Sequence, residues 1–270
     1  MTDRYAVVGN PVAHSRSPAI HAEFARQTGQ DIAYTRILAP LDGFAQAVER
    51  FRAGGGRGLN VTLPFKGEAF RLATEPTKRA RSAEAVNTLR FEDGRVLGDN
   101  TDGAGLVRDI LGNLEFPLAG KRVLLLGAGG AASGVIQALL GAGIAALVLA
   151  NRTAERAREL AKRFGGAVEP CGLDALGDAP FDVIVNATSA SLSGEAPLLA
   201  PGVFAPDCLA YDMMYGKGET PFLAAARVAG AAQIADGLGM LVEQAAESFE
   251  VWRGVRPETE QVLAMLRESE

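Results

Sequence analysis

The sequence predicts an α/β protein in two parts, and three observations predict it. A short apolar run without polar alternation, Val123 to Leu126, suits a strand buried on both faces, and Phe181 to Val185 reads as another buried strand. Stretches with apolar residues at helical spacing alternate with them. A glycine cluster joins one such strand to one such helix. Residues 121–153 read KRVLLLGAGGAASGVIQALLGAGIAALVLANRT: a strand, a turn at Gly127, Gly129 and Gly130, a helix from Ala131 to Leu140, then a strand from Ala146 to Leu149. That is one βαβ unit.

Glycine suits such a turn because it tolerates positive φ and lets the backbone approach an anion. The helix N-terminus then offers unpaired N–H groups to a pyrophosphate. A G-x-G-x-x-G fingerprint needs glycine at 127, 129 and 132; Ala132 makes this the permitted alanine variant, with Ala128 and Ala131 between. An NAD site usually carries a carboxylate about 20 residues further on. Here the second strand runs into Asn151-Arg152-Thr153, with Arg156 one turn later. Guanidiniums pair bidentately with phosphate, so NADP is expected rather than NAD. The alternative is that both arginines are solvated helix charges and Thr153 a plain N-cap.

Taken in order, Tyr5 to Val8 is a first strand, and Ser15-Arg16-Ser17-Pro18 introduces a helix marked by Ile20, Phe24 and Ala25. Ser17 suits the N-cap and Pro18 the first helical position. Ser15 needs no such role, and two hydroxyls at a helix start could also hold a carboxylate. Ala33 to Leu38 is a strand, Phe44, Val48 and Phe51 mark a helix, and Leu59 to Thr62 is a third strand stopped by Pro64. Lys66 then opens a short helix. The dipole disfavours its charge there, which suits proton exchange, although a surface lysine is the simpler reading. Asp93-Gly94 joins a hairpin between Ala85–Leu89 and Arg95–Leu97. Thr101 or Asp102 caps a helix marked by Leu106, Val107, Ile110 and Leu111, and the domain boundary falls near Asp102.

Beyond Arg156 the helix runs to Phe164. Asn186-Ala187-Thr188-Ser189 lies at the carboxyl end of the Phe181 strand, where ligands bind in open α/β sheets. Leu209 to Tyr211 is a strand before the loop Asp212 to Gly218; Thr220-Pro221 caps a helix; Gln233 to Ala235 is a last strand. Gly237 opens a final long helix with Leu238, Leu241, Val242, Ala245, Ala246, Phe249 and Trp252 at core spacing. Gln244 falls off that stripe, so it is either solvated or aimed at a cleft.

The whole chain narrows the function. It has 270 residues, 48% hydrophobic and 22% charged, enough for two domains with sizeable cores. A net charge of −5 argues against a nucleic-acid surface. Two cysteines, Cys171 and Cys208, lack metal-like spacing, and no signal peptide or membrane-length apolar run opens the chain, so a cytoplasmic, non-membrane protein without a metal is expected. The only histidines are His14 and His21, which leaves acid–base chemistry to Lys, Asp, Glu or Tyr.

Eight motifs in this order resemble those of the shikimate dehydrogenases across nearly the whole chain. They are Ser15-Arg16-Ser17-Pro18, Asn60-Val61-Thr62-Leu63-Pro64-Phe65-Lys66, Ala85-Val86-Asn87-Thr88, Asn100-Thr101-Asp102-Gly103, Gly127 to Ala131, Asn151-Arg152-Thr153, Tyr211-Asp212-Met213-Met214-Tyr215 and Gly239 to Ala245. The resemblance implies NADPH-dependent, reversible reduction of 3-dehydroshikimate to shikimate, on the path to aromatic amino acids. It implies an α/β substrate domain over 1–102, an NADP-binding Rossmann domain over 103–237, a returning helix over 238–270, and a cleft between. It assigns Lys66 and Asp102 as the catalytic pair. It assigns Ser15, Ser17, Asn60, Thr62, Asn87, Tyr215 and Gln244 to the substrate beside that pair. The cofactor falls to Gly127, Ala128, Gly129, Gly130, Ala131, Asn151, Arg152, Thr153, Arg156, Thr188, Met213 and Gly237. Where many members carry a basic residue after the glycine turn, this chain has Ser133, so one phosphate contact is expected to be missing. A monomer or homodimer is expected. Rival readings are a quinate/shikimate dehydrogenase and a non-catalytic dinucleotide-binding regulator.

Overall fold

The computed structural model describes residues 2–177, 179–188, 195–216 and 218–268. Ser189, Lys217 and the end of the expected last helix lie outside them. Two six-stranded sheets carry the fold. The first is built from β1 (Asp3–Gly9), β2 (Ile32–Leu38), β3 (Gly56–Val61), β4 (Glu75–Pro76), β5 (Thr88–Glu92) and β6 (Arg95–Asp99), in the order β2-β1-β3-β5-β6-β4. Its helices are α1 (Ser17–Thr28), α2 (Phe44–Ala53), α3 (Lys66–Leu72) and α4 (Lys78–Ala83). β1, β2 and β3 are parallel, whereas β5 runs against both β3 and β6. One edge therefore collects the carboxyl ends of β1, β3 and β6 with the amino end of β5.

The second sheet holds β7 (Arg122–Leu126), β8 (Ala146–Asn151), β9 (Glu169–Gly172), β10 (Phe181–Asn186), β11 (Phe204–Asp212) and β12 (Gln233–Ala235), all parallel, in the order β12-β11-β10-β7-β8-β9. Taken from the β9 edge this is the 3-2-1-4-5-6 order of a doubly wound dinucleotide fold, with its crevice at the β7/β10 switch point. Its helices are α6 (Gly130–Gly141), α7 (Ala154–Lys162) and α8 (Pro221–Ala229). β7 has no polar alternation because both its faces are covered. Val123 and Leu125 join one core, Leu124 and Leu126 the other, and all four are buried.

Two helices join the sheets. α5 (Asp102–Arg108) leaves the first and ends in a π-helical turn, Asp109–Asn113. That turn changes the helical phase, so Leu111, expected in the core, is exposed while Ile110 is buried. α9 (Leu238–Arg253) leaves the second sheet and packs back on the first. Ile20 and Phe24 of α1 meet Val242, Ala246 and Phe249 of α9 in one core. Trp252 stacks on Tyr5 and donates its indole N–H to Leu89 O at 2.9 Å. The expected single final helix is two: Gly254, at φ 70°, ends α9, and α10 (Glu260–Glu268) follows, with Val262 and Leu266 closing the same core. β4, α4 and β9 leave no mark in the sequence pattern, because each is short and carries little apolar periodicity.

Candidate active site

Lys66 occupies the first turn of α3, reached by β3 through Pro64 and the buried Phe65. Asp102 occupies the first turn of α5, where the helix dipole favours a carboxylate. Neither Thr101 nor Asp102 caps α5 with its side chain, contrary to the sequence expectation. Instead Lys66 Nζ and Asp102 Oδ2 pair at 2.5 Å, the lysine partly exposed and the carboxylate buried. The charge that the α3 dipole disfavours thus has a counter-ion. Asn87, at the amino end of β5, donates from Nδ2 to Asp102 Oδ1 at 2.8 Å and to Gln244 Oε1 at 3.3 Å. Gln244 of α9 therefore points at the pair rather than to solvent.

Ser15 and Ser17 stand at the start of α1, where Arg16 and not Ser17 occupies the N-cap and no side chain caps the helix. Ser17 is the first helical residue and caps nothing, while Ser15 Oγ accepts the Ser17 N–H at 3.3 Å. The Ser15 hydroxyl donates to Ser17 Oγ at 3.1 Å, and Arg36 holds the Ser15 carbonyl through two N–H groups at 3.0 and 2.6 Å. Tyr215 comes from the loop after β11 and packs against the α1–α9 core. Burial raises its phenol pKa, and the nearby Arg16 pulls it back. Thr62 is half-buried just beyond β3.

Asn60 is committed to protein. Its Oδ1 accepts the Tyr34 hydroxyl at 2.7 Å and faces His21 Nε2 at 3.2 Å, while its Nδ2 donates to Ser248 Oγ at 3.0 Å and lies 3.3 Å from Asn87 O and Thr88 Oγ1. This buried amide thus has protein partners at both its oxygen and its nitrogen. His21 is fully buried, and desolvation pushes its pKa down to about 3, so it is neutral near pH 7. Ser248 escapes a reading of the sequence. The available signal is that it stands four residues after Gln244, on the same helix face.

The second sheet presents the carboxyl ends of its strands as a crest. Gly127 follows β7 with φ +104°, a left-handed backbone that side chains resist. Around Gly129 and Gly130 a Cβ would meet nothing within 4 Å, so the α6 N-terminus faces open space able to receive a pyrophosphate. Thr188 donates its hydroxyl to Asn186 Oδ1 at 2.7 Å, and Met213 N–H bonds Asn186 O at 2.9 Å, fixing the neighbouring loops. Gly237 donates its N–H to Met214 O at 3.0 Å and begins α9. At the end of β8, Asn151 Nδ2 bonds Thr153 O at 2.9 Å. Thr153 stands at the N-cap of α7 without capping it by its side chain. Arg152 and Arg156 are exposed, and no ion pair engages either among the described residues. The geometry fits a 2′-phosphate and the pyrophosphate of NADP.

Ser133 has a protein partner of its own. It is buried, and its hydroxyl donates to Ala83 O at 2.5 Å, at the end of α4. The position faces the first half of the chain, so its side chain is a tie between halves rather than a vacated phosphate contact. The two crests meet along α6: a Cβ placed on Gly134 would stand 3.1 Å from Asp102 Oδ2. The helix that starts at the glycine turn therefore runs directly past the Lys66–Asp102 pair.

Comparison with known proteins agrees with this arrangement. Three family models match in series: the shikimate dehydrogenase substrate binding domain over residues 7–89, shikimate / quinate 5-dehydrogenase over 107–193, and the shikimate 5′-dehydrogenase C-terminal domain over 237–267. The chain is 63% identical to the shikimate dehydrogenase (NADP(+)) of Aromatoleum aromaticum, covering 98% of this chain and 97% of that one. It is 60% identical to the one from Chromobacterium violaceum, covering 99% of each. Among solved structures, shikimate 5-dehydrogenase from Thermus thermophilus in complex with NADP(H) and shikimate is similar at TM-score 0.87 and 34% identity, with 100% of both chains covered.

Proposed function

The chain belongs to the shikimate dehydrogenase family, and from that premise we infer its reaction, the NADP-dependent, reversible reduction of 3-dehydroshikimate to shikimate. The observation that carries the reading is the Lys66–Asp102 pair, 2.5 Å apart and flanking the helix that opens at the glycine turn.

A ketone that receives hydride becomes an alkoxide and needs a proton. Lys66, as an ammonium, polarises the carbonyl and donates that proton. Asp102 holds the ammonium in place and accepts a substrate hydroxyl. Ser15 and Ser17 hold the substrate carboxylate, with Thr62, Asn87, Tyr215 and Gln244 around its hydroxyls. Bound NADPH supplies the hydride. Gly127 to Ala131 would hold its pyrophosphate, and Asn151, Arg152, Thr153 and Arg156 its 2′-phosphorylated ribose, while Thr188, Met213 and Gly237 line the nicotinamide side. Residues 1–102 with α9 and α10 form the substrate part, and residues 103–237 the cofactor part. Assaying shikimate and quinate, each with NADP and NAD, tests the assignment: shikimate with NADP should be the best pair by kcat/KM. A preference for quinate, or for NAD, would overturn it.

A further inference from the structure

Behind the Lys66–Asp102 pair lies a row of buried polar groups to which the mechanism above gives no task, and any role for them in turnover rests on that mechanism. The Asn87 amide can face only one way. Its Oδ1 accepts the Thr101 N–H and the Thr88 hydroxyl, each at 2.9 Å, while its Nδ2 donates to Asp102 Oδ1 at 2.8 Å and Thr101 Oγ1 at 2.9 Å. Turned over, it would set an NH2 against an N–H and a carbonyl oxygen against a carboxylate.

The Thr101 N–H and the Asp102 carboxylate set which way the amide faces, and the Thr88 hydroxyl adds a second donor to its Oδ1. A hydroxyl rotates to suit its neighbours. Thr88 Oγ1 lies 2.7 Å from Ser248 Oγ, and Asn60 Nδ2 donates to both hydroxyls, at 3.3 and 3.0 Å. Because the Asn60 Nδ2 is a donor, its Oδ1 must accept from His21 Nε2, which puts the ring proton on that nitrogen. His21 thus donates to Asn60, Asn60 to Ser248 and Thr88, Thr88 to Asn87 and Asn87 to Asp102, while the single Ser248 proton is shared between Thr88 Oγ1 at 2.7 Å and Gln244 O at 3.0 Å. His21, Thr88 and Ser248 are fully buried, where such a chain is strengthened by the low dielectric and by mutual polarisation.

We propose that Thr88 and Ser248 are positioning residues for the reaction: their hydroxyls hold the Asn87 amide with its N–H toward Asp102, and so keep Asp102 aligned on Lys66. Thr88→Val and Thr88→Ser test this, because the hydroxyl and the shape of threonine are separated between them. Thr88→Val is expected to lower kcat about tenfold, from loss of one buried hydrogen bond at the reacting pair, with both KM values within about twofold. Thr88→Ser should keep roughly half or more of wild-type kcat, since the donor remains. A packing role predicts the reverse order, because valine fills the threonine site and serine leaves a gap. Wild-type kcat in Thr88→Val, equal losses in both variants, or a rise in KM at unchanged kcat would overturn the proposal. If Thr88→Val does not fold by circular dichroism, Ser248→Ala carries the same expectation, and wild-type kcat there overturns it. A wild-type protein that fails to oxidise shikimate with NADP would instead strike the assigned reaction.

Discussion

The two crests that face each other across α6 are finished to different degrees. On the first sheet, Lys66, Asp102, Asn87 and Gln244 already bond one another, and Asp102 and Asn87 are buried. On the second, Arg152 and Arg156 are exposed, and Gly129 and Gly130 face open space. The contrast separates two kinds of work. On the proposed mechanism, groups that must be aligned for proton transfer are oriented by protein before substrate arrives, which is what electrostatic preorganisation requires. Groups that only grip a charged cofactor are left for that cofactor to order.

This contrast ranks the expected effects of breaking each crest. Lys66→Ala should be the most severe, lowering kcat by about 10²- to 10⁴-fold with a folded protein, as loss of a general acid–base group does. Removing both Arg152 and Arg156 should raise the KM for NADPH about tenfold or more while leaving that for NADH nearly unchanged, because only the 2′-phosphate is lost as a partner. Equal effects on both cofactors would mean that the second crest does not read that phosphate.

Acid stability probes His21, buried behind the first crest. His21 has a folded pKa depressed to about 3 from an ordinary 6.5, so its stabilising effect is fully present above pH 6.5 and is lost as pH falls toward 3. The slope approaches about 1.4 kcal/mol per pH unit over that window. Replacing His21 with phenylalanine should flatten that part of the urea-denaturation pH profile; an unchanged slope would show that another group governs it. Ser133→Ala should do least, costing about 0.5–1.5 kcal/mol by thermal melting through the lost bond to Ala83 O, with the KM for NADPH unmoved.

Legibility in the sequence divides along the same line. β7 is readable because burial on both faces leaves an unbroken apolar run from Val123 to Leu126, and the glycine turn because its spacing is local. Lys66 and Asp102 are readable as a pair only through the family resemblance; spacing alone does not show it, since 36 residues separate them. Ser248 cannot be found by pattern alone: a serine inside an apolar stripe carries no mark of the distant amides it joins. The N-cap of α1 at Arg16 rather than Ser17, and the outward turn of Leu111 in the π-helical turn, depend on one-residue shifts of helix phase that periodicity does not resolve. The bond from Ser133 to Ala83 O is not legible because α4 is too short to leave a pattern.

The sharpest test is a crystal structure of the complex with NADP and shikimate. In it Lys66 and Asp102 should both touch the hydroxyl to be oxidised, the Asn87 amide should keep its bond to Asp102, and Arg152 and Arg156 should turn onto the 2′-phosphate. Shikimate bound out of reach of Lys66, or an Asn87–Asp102 bond broken on binding, would contradict the preorganised pair.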